Sequence, residues 1–414
     1  MRDTSISIAK AIAIVMVVAL NAGIPDAAAR VILPLSVPIF FMTAGYCFSP
    51  HYFQDERTFV VHRVRRLYLP FLGWSLLFIT LHNLLWAIGL INVAGGEQMT
   101  GAMHAYTFTE YCQRIWSITF CMSGYDIALC SPFWFFRALL VASLAFLLGM
   151  KVLQRLLPQH RSEIHAAILL GIVLFLGLWQ VGMDLSVPAL GTGHRELMGT
   201  GLFSLGFLAR RYSALLTTKV YYPLAGLGAL ILSAILFPAT FPEAGTLSSF
   251  ASLWLPAAGG FIFLLFVCTH IAKAPQAIVN ALTYIGDRTL YIFAFHVTAF
   301  MLVSLIKVIG YGLPWQAMGG HPVVLHNSGD AFWLLYTIVG VGLPLLCREG
   351  FHWLGRRIDL SAKACLGYTI DFLFLTGRYC IVGIVWLAKA IARVFMNIWR
   401  ALTDMVKASN PNEE

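Results

Sequence analysis

Long apolar stretches separated by short polar segments recur along this chain. A hydrocarbon core about 30 Å thick is crossed by about 20 residues of α-helix. Ten stretches approach or exceed that length, at residues 7–24, 28–48, 68–92, 132–150, 164–182, 195–212, 220–238, 250–271, 288–310 and 331–347. The pattern therefore predicts an all-α, polytopic integral membrane protein with about ten transmembrane helices.

The composition agrees with a lipid environment. Of the 414 residues, 59% are hydrophobic and 11% are charged, and the mean hydropathy is +0.78. Soluble domains typically contain about 45–50% apolar and about 25% charged residues. This composition excludes a single soluble domain.

The positions of Lys and Arg predict the orientation of the helices. If the N-terminus is cytoplasmic, the exterior loops hold three of these residues, Arg30, Arg114 and Arg195. The cytoplasmic segments then hold eighteen: Arg2, Lys10, Arg57, Arg63, Arg65, Arg66, Lys151, Arg155, Arg161, Arg210, Arg211, Lys219, Lys273, Arg288, Arg348, Arg356, Arg357 and Lys363. Because cytoplasmic loops retain Lys and Arg, the bias predicts cytoplasmic N- and C-termini. The net charge of +9 is mostly this topology signal, so nucleic-acid binding is not needed to explain it.

The C-terminal segment has a different pattern. Polar residues recur at steps of three or four from Lys389 to Lys407, which predicts an amphipathic helix. The apolar run at residues 379–388 is too short to cross a bilayer, so we expect an interfacial helix on the cytoplasmic side. An eleventh span at residues 370–396 is the alternative. We divide the chain into a transmembrane domain, residues 1–350, and a cytoplasmic amphipathic tail, residues 351–414.

The eight cysteines include no C-x-x-C pair, and we predict no metal site. Cys112, Cys121 and Cys130 share the longest predicted exterior loop, residues 93–131. A disulfide between two of them is compatible with an oxidising compartment, and three unpaired thiols are equally compatible with the sequence.

A few polar residues interrupt the apolar spans. Lys10 and Asn21 are eleven residues apart in the first span, so they share one helix face and lie about 16 Å apart along the axis. They mark a site, or Lys10 extends to the interface and Asn21 caps the helix. His82, Arg137 and His296 lie within later spans, where ionisable groups usually mark a pathway, a site or a buried pair.

Two further basic features have simple interpretations. Lys307 lies near the outer end of its span, and we expect it to extend towards the membrane surface. Arg63 and Arg66 are one helical turn apart before the third span, a spacing that lets two guanidinium groups bind one phosphate group or two adjacent ones. The alternative is that both arginines are ordinary anchors beside lipid headgroups.

Five segments together resemble the acyltransferase 3 family. Members commonly carry a basic residue, ten further residues and then His; this chain has Lys10 followed by Asn21. The sequence VPIFFMTAGY at 37–46 is similar to the family's Pro-x-Phe-Phe-x-x-Ser-Gly-Tyr pattern, and RVRR at 63–66 fits its Arg-x-x-Arg motif. PFWFFRAL at 132–139 resembles the Trp-Phe segment that opens the fourth span. YIGDRTLYIFAFH at 284–296 resembles the closing segment of the family, which ends in His.

The resemblance implies transfer of an acyl group, most often acetyl, from cytosolic acyl-CoA to a hydroxyl of an extracytoplasmic acceptor. The expected acceptors are a glycan, peptidoglycan or a lipid-linked intermediate, and the expected location is the bacterial inner membrane. Acetyl-CoA or another acyl-CoA acts as cosubstrate, without a tightly bound cofactor. Lys10, Arg63 and Arg66 are expected to hold the CoA phosphates. The pantetheine arm then runs outward and places the thioester near residue 21.

Asn21 occupies the position of the family's catalytic His. An amide cannot remove a proton, whereas neutral imidazole can. Asn21 is therefore an engineered substitution, a natural loss of activity, or a natural change accompanied by another base. His296 is the leading alternative base, although it is equally typical of a buried core histidine. We expect impaired turnover in each case that lacks a second base.

The remaining polar residues of the spans complete the candidate site. Arg137, Trp134 and His82 are candidates for the substrate pocket. Two other functions are compatible with many helices and few buried charges: a transporter or flippase of a lipid-linked sugar, and a non-catalytic acyl-CoA-binding membrane protein. Transporters often contain paired repeats with interrupted helices, and no such repeat is visible. Besides the bilayer, a homo-oligomeric partner is compatible with the sequence.

Overall fold

α-Helices dominate the computed structural model, which describes residues 3–92, 104–185, 193–239, 247–327 and 329–357. In chain order they are α1 (Thr4–Asn21), α2 (Asp26–Ile32), α3 (Val37–Tyr46), α4 (Glu56–Arg63), α5 (Leu69–Ala87), α6 (Phe108–Cys121), α7 (Ile127–Cys130), α8 (Trp134–Leu156), α9 (Ser162–Gly182), α10 (His194–Arg211), α11 (Ser213–Thr218), α12 (Tyr221–Leu236), α13 (Leu247–Ser252), α14 (Trp254–Ile271), α15 (Gln276–Gly286), α16 (Thr289–Gly310) and α17 (Phe332–Arg357). No strand occurs in the described ranges. The all-α prediction is confirmed.

Eight helical segments of the described residues are long and apolar enough to cross a membrane. They are Thr4–Asn21, Asp26–Tyr46, Glu56–Ala87, Ile127–Leu156, Ser162–Gly182, Trp254–Ile271, Thr289–Gly310 and Phe332–Gly350. Two more predicted spans coincide with α10, which carries four charged residues, and with α12, which is shorter. The polytopic architecture is confirmed, whereas the total of ten spans and the location of both termini stay predictions.

One long helix carries the arginine pair. A π-helical segment, Val64–Tyr68, joins α4 to α5, so the helix runs from Glu56 to Ala87 without a break. Its 32 residues extend about 48 Å, more than the thickness of a hydrocarbon core. Arg63 and Arg66 lie at this junction, and π-helical turns are frequent at functional sites.

Glycines allow several helices to approach closely. A Cβ atom on Gly45 of α3 would lie 1.9 Å from the Phe203 carbonyl oxygen of α10, and one on Gly206 would lie 1.9 Å from that of Met42. A Cβ atom on Gly286 of α15 would lie 1.8 Å from the Ser7 carbonyl oxygen of α1. Without a hydrophobic driving force between helices in lipid, such close backbone packing holds the helices together.

The predicted exterior loop at residues 93–131 contains a helix that returns along α5. Asn83 exchanges hydrogen bonds with the backbone of Tyr106, at 2.9 and 2.7 Å, and the Tyr68 hydroxyl donates to the Thr119 carbonyl at 2.7 Å. These contacts are about 20 Å apart on both segments, so α6 runs antiparallel to α5. The described part of this loop is therefore packed against a membrane helix.

The cysteines of this segment are unpaired. Cys112, Cys121 and Cys130 are all free thiols, so the alternative of a disulfide among them is not realised in this structure. Cys112 and Cys121 are exposed. Cys130 is buried and donates to the Asp126 carbonyl oxygen at 2.7 Å.

The chain divides into two units, Met1–Leu346 and Cys347–Glu414. Only residues 347–357 of the second unit are described, as the last turns of α17. The predicted amphipathic tail, and the alternative span at residues 370–396, lie outside the described residues. The division into a membrane domain and a tail stays a prediction.

Candidate functional site

A cavity of about 300 Å³ lies beside Lys10 of α1, and Arg63 and Arg66 also line it. It is termed the basic cavity below. Three predicted cations from two separate parts of the sequence are thus brought together. The other lining residues are Phe40, Thr43, Ala44, Cys47, Phe48, Tyr52, Phe59, His62, Leu67, Phe135, Leu139, Thr289 and Leu290.

A larger cavity of about 770 Å³ adjoins the basic cavity and shares Lys10 and Arg66 with it. It contributes charged groups that the sequence did not single out for the site, Asp287 and Arg210. The Ser7 hydroxyl donates to Asp287 Oδ1 at 3.0 Å. Asp287 lies in the segment at 284–296 that resembles the family, so its position in the sequence could have assigned it to the site. Arg210 could not be distinguished from the other basic residues of the cytoplasmic loops.

Asn21 lies in a separate cavity of about 460 Å³ at the other end of α1. It is termed the Asn21 cavity. Trp134, a predicted substrate-pocket residue, also lines it, together with Val17, Leu20, Leu33, Ser36, Val37, Tyr125, Ile127, Ser131, Pro132, Arg195 and Phe293. The Asn21 Nδ2 group donates to the Val17 carbonyl at 2.9 Å. Its Oδ1 atom is the part of the amide that can accept a hydrogen bond from a ligand.

An aromatic pair stands between the two cavities. Phe135 lines the basic cavity, Phe293 lines the Asn21 cavity, and their ring centroids are 5.0 Å apart. Lys10 and Asn21 are separated by about 16 Å along α1. The helix thus contributes one polar residue to each cavity, with an apolar partition between them.

Arg137 lies outside the residues that line the Asn21 cavity. Its Nε group donates to Glu196 Oε1 at 2.9 Å; the Glu196 side chain is buried, and the Arg137 side chain is 12% exposed. The charge of Arg137 is therefore balanced within the protein. Its sequence position, one turn after Trp134, did not reveal this partner because Glu196 is 59 residues away.

His82 also belongs to a buried polar cluster. Its Nδ1 atom contacts the Asp126 carboxylate, and its Nε2 atom lies 3.0 Å from the His104 carbonyl oxygen. Tyr106 stacks on the His82 ring at 3.8 Å and donates its hydroxyl to Asp126 at 2.9 Å. Burial, followed by the negative charge of Asp126, raises the pKa of Tyr106, so this phenol stays protonated. The cluster fixes the segment around Tyr106 against α5, and His82 does not line any cavity described above.

His296 is fully buried in α16. Its Nδ1 atom lies 3.1 Å from the Ile292 carbonyl oxygen and 2.9 Å from that of Phe293, which makes Nδ1 the donor. Nε2 has no hydrogen-bond partner among the described residues. His296 lines neither the basic cavity nor the Asn21 cavity, although Phe293, three residues earlier, lines the latter.

Lys307 does not extend to the membrane surface, so that expectation was wrong. Its Nζ atom lies 2.8 Å from Asp330 Oδ2, and the two side chains are 4% and 8% exposed. Burial acts to raise the pKa of Asp330, but hydrogen bonds from Lys307 and from the Phe332 backbone outweigh it and hold this pKa below its usual range. The pair anchors the segment after α16.

The profile of a family described as an acyltransferase domain matches residues 3–349. The chain belongs to the acyltransferase 3 family. No curated protein and no solved structure matches it. The resemblance seen in the five segments is thereby confirmed at the level of the family. The chain is a multi-pass membrane acyltransferase.

All residues that line the two cavities of this acyltransferase 3 member lie inside the matched range. Sequence analysis did not assign Tyr125, Ser131 and Arg195 to the site. One feature of the sequence could have drawn attention to Arg195: it is one of three basic residues predicted on the exterior side of the membrane. Within the described residues, no group of three or more His, Cys, Asp or Glu side chains could hold a metal ion.

Proposed function

We propose that this acyltransferase moves an acyl group, most simply acetyl, from cytosolic acyl-CoA to a hydroxyl of an extracytoplasmic glycan or glycolipid. The proposed setting is the bacterial inner membrane, with the Lys10 end of α1 at the cytoplasm. The observation that carries the proposal is that α1 supplies Lys10 to a basic cavity and Asn21 to a second cavity at its opposite end.

The basic cavity suits the phosphates of CoA. Arginine side chains bind phosphate oxygens through paired N–H groups, and Arg63 and Arg66 line the same cavity as Lys10. The Arg63 guanidinium carbon lies 4.9 Å from the centroid of the Phe59 ring. This contact restricts the guanidinium before a ligand arrives, which lowers the entropic cost of binding.

The pantetheine arm then extends from the basic cavity towards Asn21. The distance of about 16 Å between Lys10 and Asn21 is comparable to that of an extended pantetheine. The arm passes the partition at Phe135 and Phe293, whose rings have to separate enough to admit a thioester. In the Asn21 cavity the thioester carbonyl meets the acceptor hydroxyl.

The chemistry at residue 21 limits the reaction. Attack by a hydroxyl on a thioester is accelerated when a general base removes the hydroxyl proton. Asn21 can accept a hydrogen bond through Oδ1 and so orient the hydroxyl, but it cannot take the proton. His296 would need an uncovered Nε2 atom to replace it, and that atom is buried. Acyl-CoA binding with impaired turnover is therefore the expected behaviour.

A non-catalytic acyl-CoA-binding protein is the second candidate function, and Asn21 is the observation that favours it. Both candidates require the basic cavity to bind acyl-CoA. They differ in whether the acyl group leaves CoA.

The test uses the full chain in lipid nanodiscs with radiolabelled acetyl-CoA. Binding, thioester hydrolysis and transfer of label to membrane extracts are measured for the protein as it stands, for Asn21→His and for Asn21→Gln. We expect all three to bind acetyl-CoA and only Asn21→His to transfer label at a high rate. Asn21→Gln is the matched control because it changes the side chain without adding a base. If no form binds or consumes acetyl-CoA, the proposed donor is wrong.

A further inference from the structure

Tyr125 carries a hydroxyl group that can donate to a ligand in the Asn21 cavity. The residue lines this cavity together with Asn21 and is partly exposed. Its hydroxyl makes no hydrogen bond to any residue that the structure describes. By contrast, the Ser36 hydroxyl in the same wall donates its proton to the Leu33 carbonyl at 2.6 Å. The Tyr125 O–H group is therefore available to a ligand, whereas that of Ser36 is not.

The ring of Tyr125 packs against two phenylalanines. Its centroid lies 5.9 Å from that of Phe71 on α5, in an edge-to-face contact, and 5.9 Å from that of Phe133, which directly precedes α8. Both phenylalanines are fully buried. Aromatic pairs at such distances attract each other through their quadrupoles. The contacts restrict the direction of the phenol without occupying its hydroxyl.

The next residue, Asp126, fixes the backbone beside Tyr125. Its carboxylate contacts His82 Nδ1 on α5 and accepts from the Tyr106 hydroxyl at 2.9 Å. It also accepts from the Leu129 backbone N–H at 2.9 Å and so caps α7. A donor that is fixed before the reaction needs no reorganisation when charge develops on its partner.

The phenol of Tyr125 stays protonated at neutral pH. Burial, followed by the nearby Cys130 thiol, raises the pKa of this phenol above its usual range. A protonated phenol donates a hydrogen bond and does not remove a proton. Tyr125 can therefore stabilise negative charge on a ligand oxygen, but it does not replace the base that is missing at residue 21.

Acyl transfer develops negative charge on one particular oxygen. As the acceptor hydroxyl oxygen attacks the thioester carbon, the C=O electron pair moves onto the carbonyl oxygen and the hydroxyl proton goes to a base. The electron pair returns when the C–S bond breaks, and CoA leaves as a thiolate that takes up the proton. A hydrogen-bond donor at the carbonyl oxygen stabilises the intermediate more than the starting thioester.

We infer that Tyr125 is a catalytic residue that donates a hydrogen bond to the thioester carbonyl oxygen, while residue 21 faces the attacking hydroxyl. The inference rests on the proposed function, in which the thioester enters the Asn21 cavity. The two residues act on different atoms. Asn21 limits removal of the hydroxyl proton, and Tyr125 stabilises the charge on the carbonyl oxygen.

The first measurement needs no turnover. The full chain in lipid nanodiscs is loaded with acetyl-CoA that carries carbon-13 at the thioester carbonyl, and isotope-edited infrared difference spectra give the carbonyl band. Because a hydrogen bond lowers the carbonyl frequency, the band should lie at a higher wavenumber in Tyr125→Phe than in the parent protein. Tyr111→Phe is the matched control, since it removes the same group from α6 and Tyr111 does not line the cavity.

The second measurement is the rate of acetyl transfer in the Asn21→His protein. Adding Tyr125→Phe should lower this rate about 10²–10³-fold, the usual effect of removing one oxyanion donor, and leave the acetyl-CoA dissociation constant unchanged. Adding Tyr111→Phe should change neither quantity. Because the Tyr125 hydroxyl has no partner among the described residues, its removal should also leave the thermal unfolding temperature unchanged.

Two results would overturn the inference. One is a carbonyl band at the same position in the parent protein and in Tyr125→Phe. The other is a band that moves in Ser131→Ala instead, which would assign the donor to the Ser131 hydroxyl in the same wall. Failure of the proposed function is a different result: acetyl-CoA then does not bind the parent protein, and the inference falls with it before any variant is compared.

Discussion

The two ends of α1 use charged residues in different ways. At the Lys10 end, three cations line one cavity, where a ligand can reach them. At the Asn21 end, the described lining residues of the cavity include one arginine, Arg195, while three other ionisable side chains form ion pairs inside the fold: Arg137 with Glu196, His82 with Asp126, and Lys307 with Asp330. An ionisable residue in a membrane span is therefore not by itself evidence of a ligand site, because it can instead belong to an ion pair inside the fold.

The largest expected effect is on the rate of acyl transfer, when a general base is introduced at residue 21 in the Asn21 cavity. Asn21→His should increase acetyl transfer by about 10²–10⁴-fold, the usual contribution of a general base. Because the neutral imidazole is the active form, the rate should rise with pH through the histidine pKa of about 6.5 and then level off. The measurement is label transfer from acetyl-CoA between pH 5 and pH 8. If the rate of acetyl transfer increases without this pH dependence, the histidine does not act by removing the hydroxyl proton.

Breaking a buried pair should affect stability but not binding of CoA. Lys307→Met leaves the Asp330 carboxylate buried without its partner, which should cost about 3–5 kcal/mol of unfolding free energy. The matched variant with both Lys307→Met and Asp330→Leu should recover much of this loss. Unfolding in detergent and acetyl-CoA affinity are measured for both variants. A loss of acetyl-CoA affinity in either folded variant would contradict the separation between the two ends.

The same pair predicts a pH dependence. The pKa of Asp330 is lowered in the folded protein, so its contribution to stability is present above the unfolded Asp pKa of about 3.9. That contribution is lost as pH falls through the lower folded pKa. The stability difference between the parent protein and Lys307→Met should therefore shrink below about pH 4, relative to its value at pH 7.

Removing the cations of the basic cavity should weaken donor binding. Arg63→Ala combined with Arg66→Ala should reduce acetyl-CoA affinity by about 100-fold, since hydrogen bonds to charged groups contribute about 1.5–3 kcal/mol each. Arg65→Ala is the control, because Arg65 lies between them, is exposed and does not line the cavity. Affinity is measured at two salt concentrations, and the double variant should lose part of the salt dependence. Equal effects of Arg65→Ala and the double variant would identify these arginines as membrane anchors.

The smallest expected effect concerns the packing beside the larger cavity. Gly286→Ala places a Cβ atom 1.8 Å from the Ser7 carbonyl oxygen, so α15 has to move away from α1. Such overpacking typically costs about 1–3 kcal/mol. Gly171→Ala is the control, since nothing lies within 4 Å of its Cβ position, and Ala favours helix. In thermal unfolding, Gly286→Ala should unfold at a lower temperature than Gly171→Ala. Equal stability of the two variants would show that α1 and α15 have room to adjust.

The candidate site residues that sequence analysis could relate to one another are those defined by local spacing. Lys10 and Asn21 lie on one helix, and Arg63 and Arg66 are one turn apart, so helical geometry alone relates the members of each pair. By contrast, the partners of Arg137 and His82 are 59 and 44 residues away in the sequence. Periodicity carries no information about such pairs, so the prediction that both residues belong to the substrate pocket was made without knowledge of these partners.

The predicted exterior loop at residues 93–131 also shows that local sequence patterns do not reveal contacts with distant residues, here for a whole helix. Helix α6 mixes apolar and polar residues, so its composition does not predict a segment that packs along a membrane helix. Its position depends on contacts with distant residues, namely Asn83 with Tyr106 and Tyr68 with Thr119. This segment leads into Tyr125, which lines the Asn21 cavity.

The sequence by itself determined the lipid environment, the all-α class and the family, because hydrophobicity and short motifs are properties of neighbouring residues. It also determined that residue 21 lacks a base. Only the tertiary structure decided which charges line a cavity and which are neutralised in buried pairs. The reason is physical: whether a charge is available to a ligand depends on the group that lies against it, and in this protein that group usually belongs to another helix.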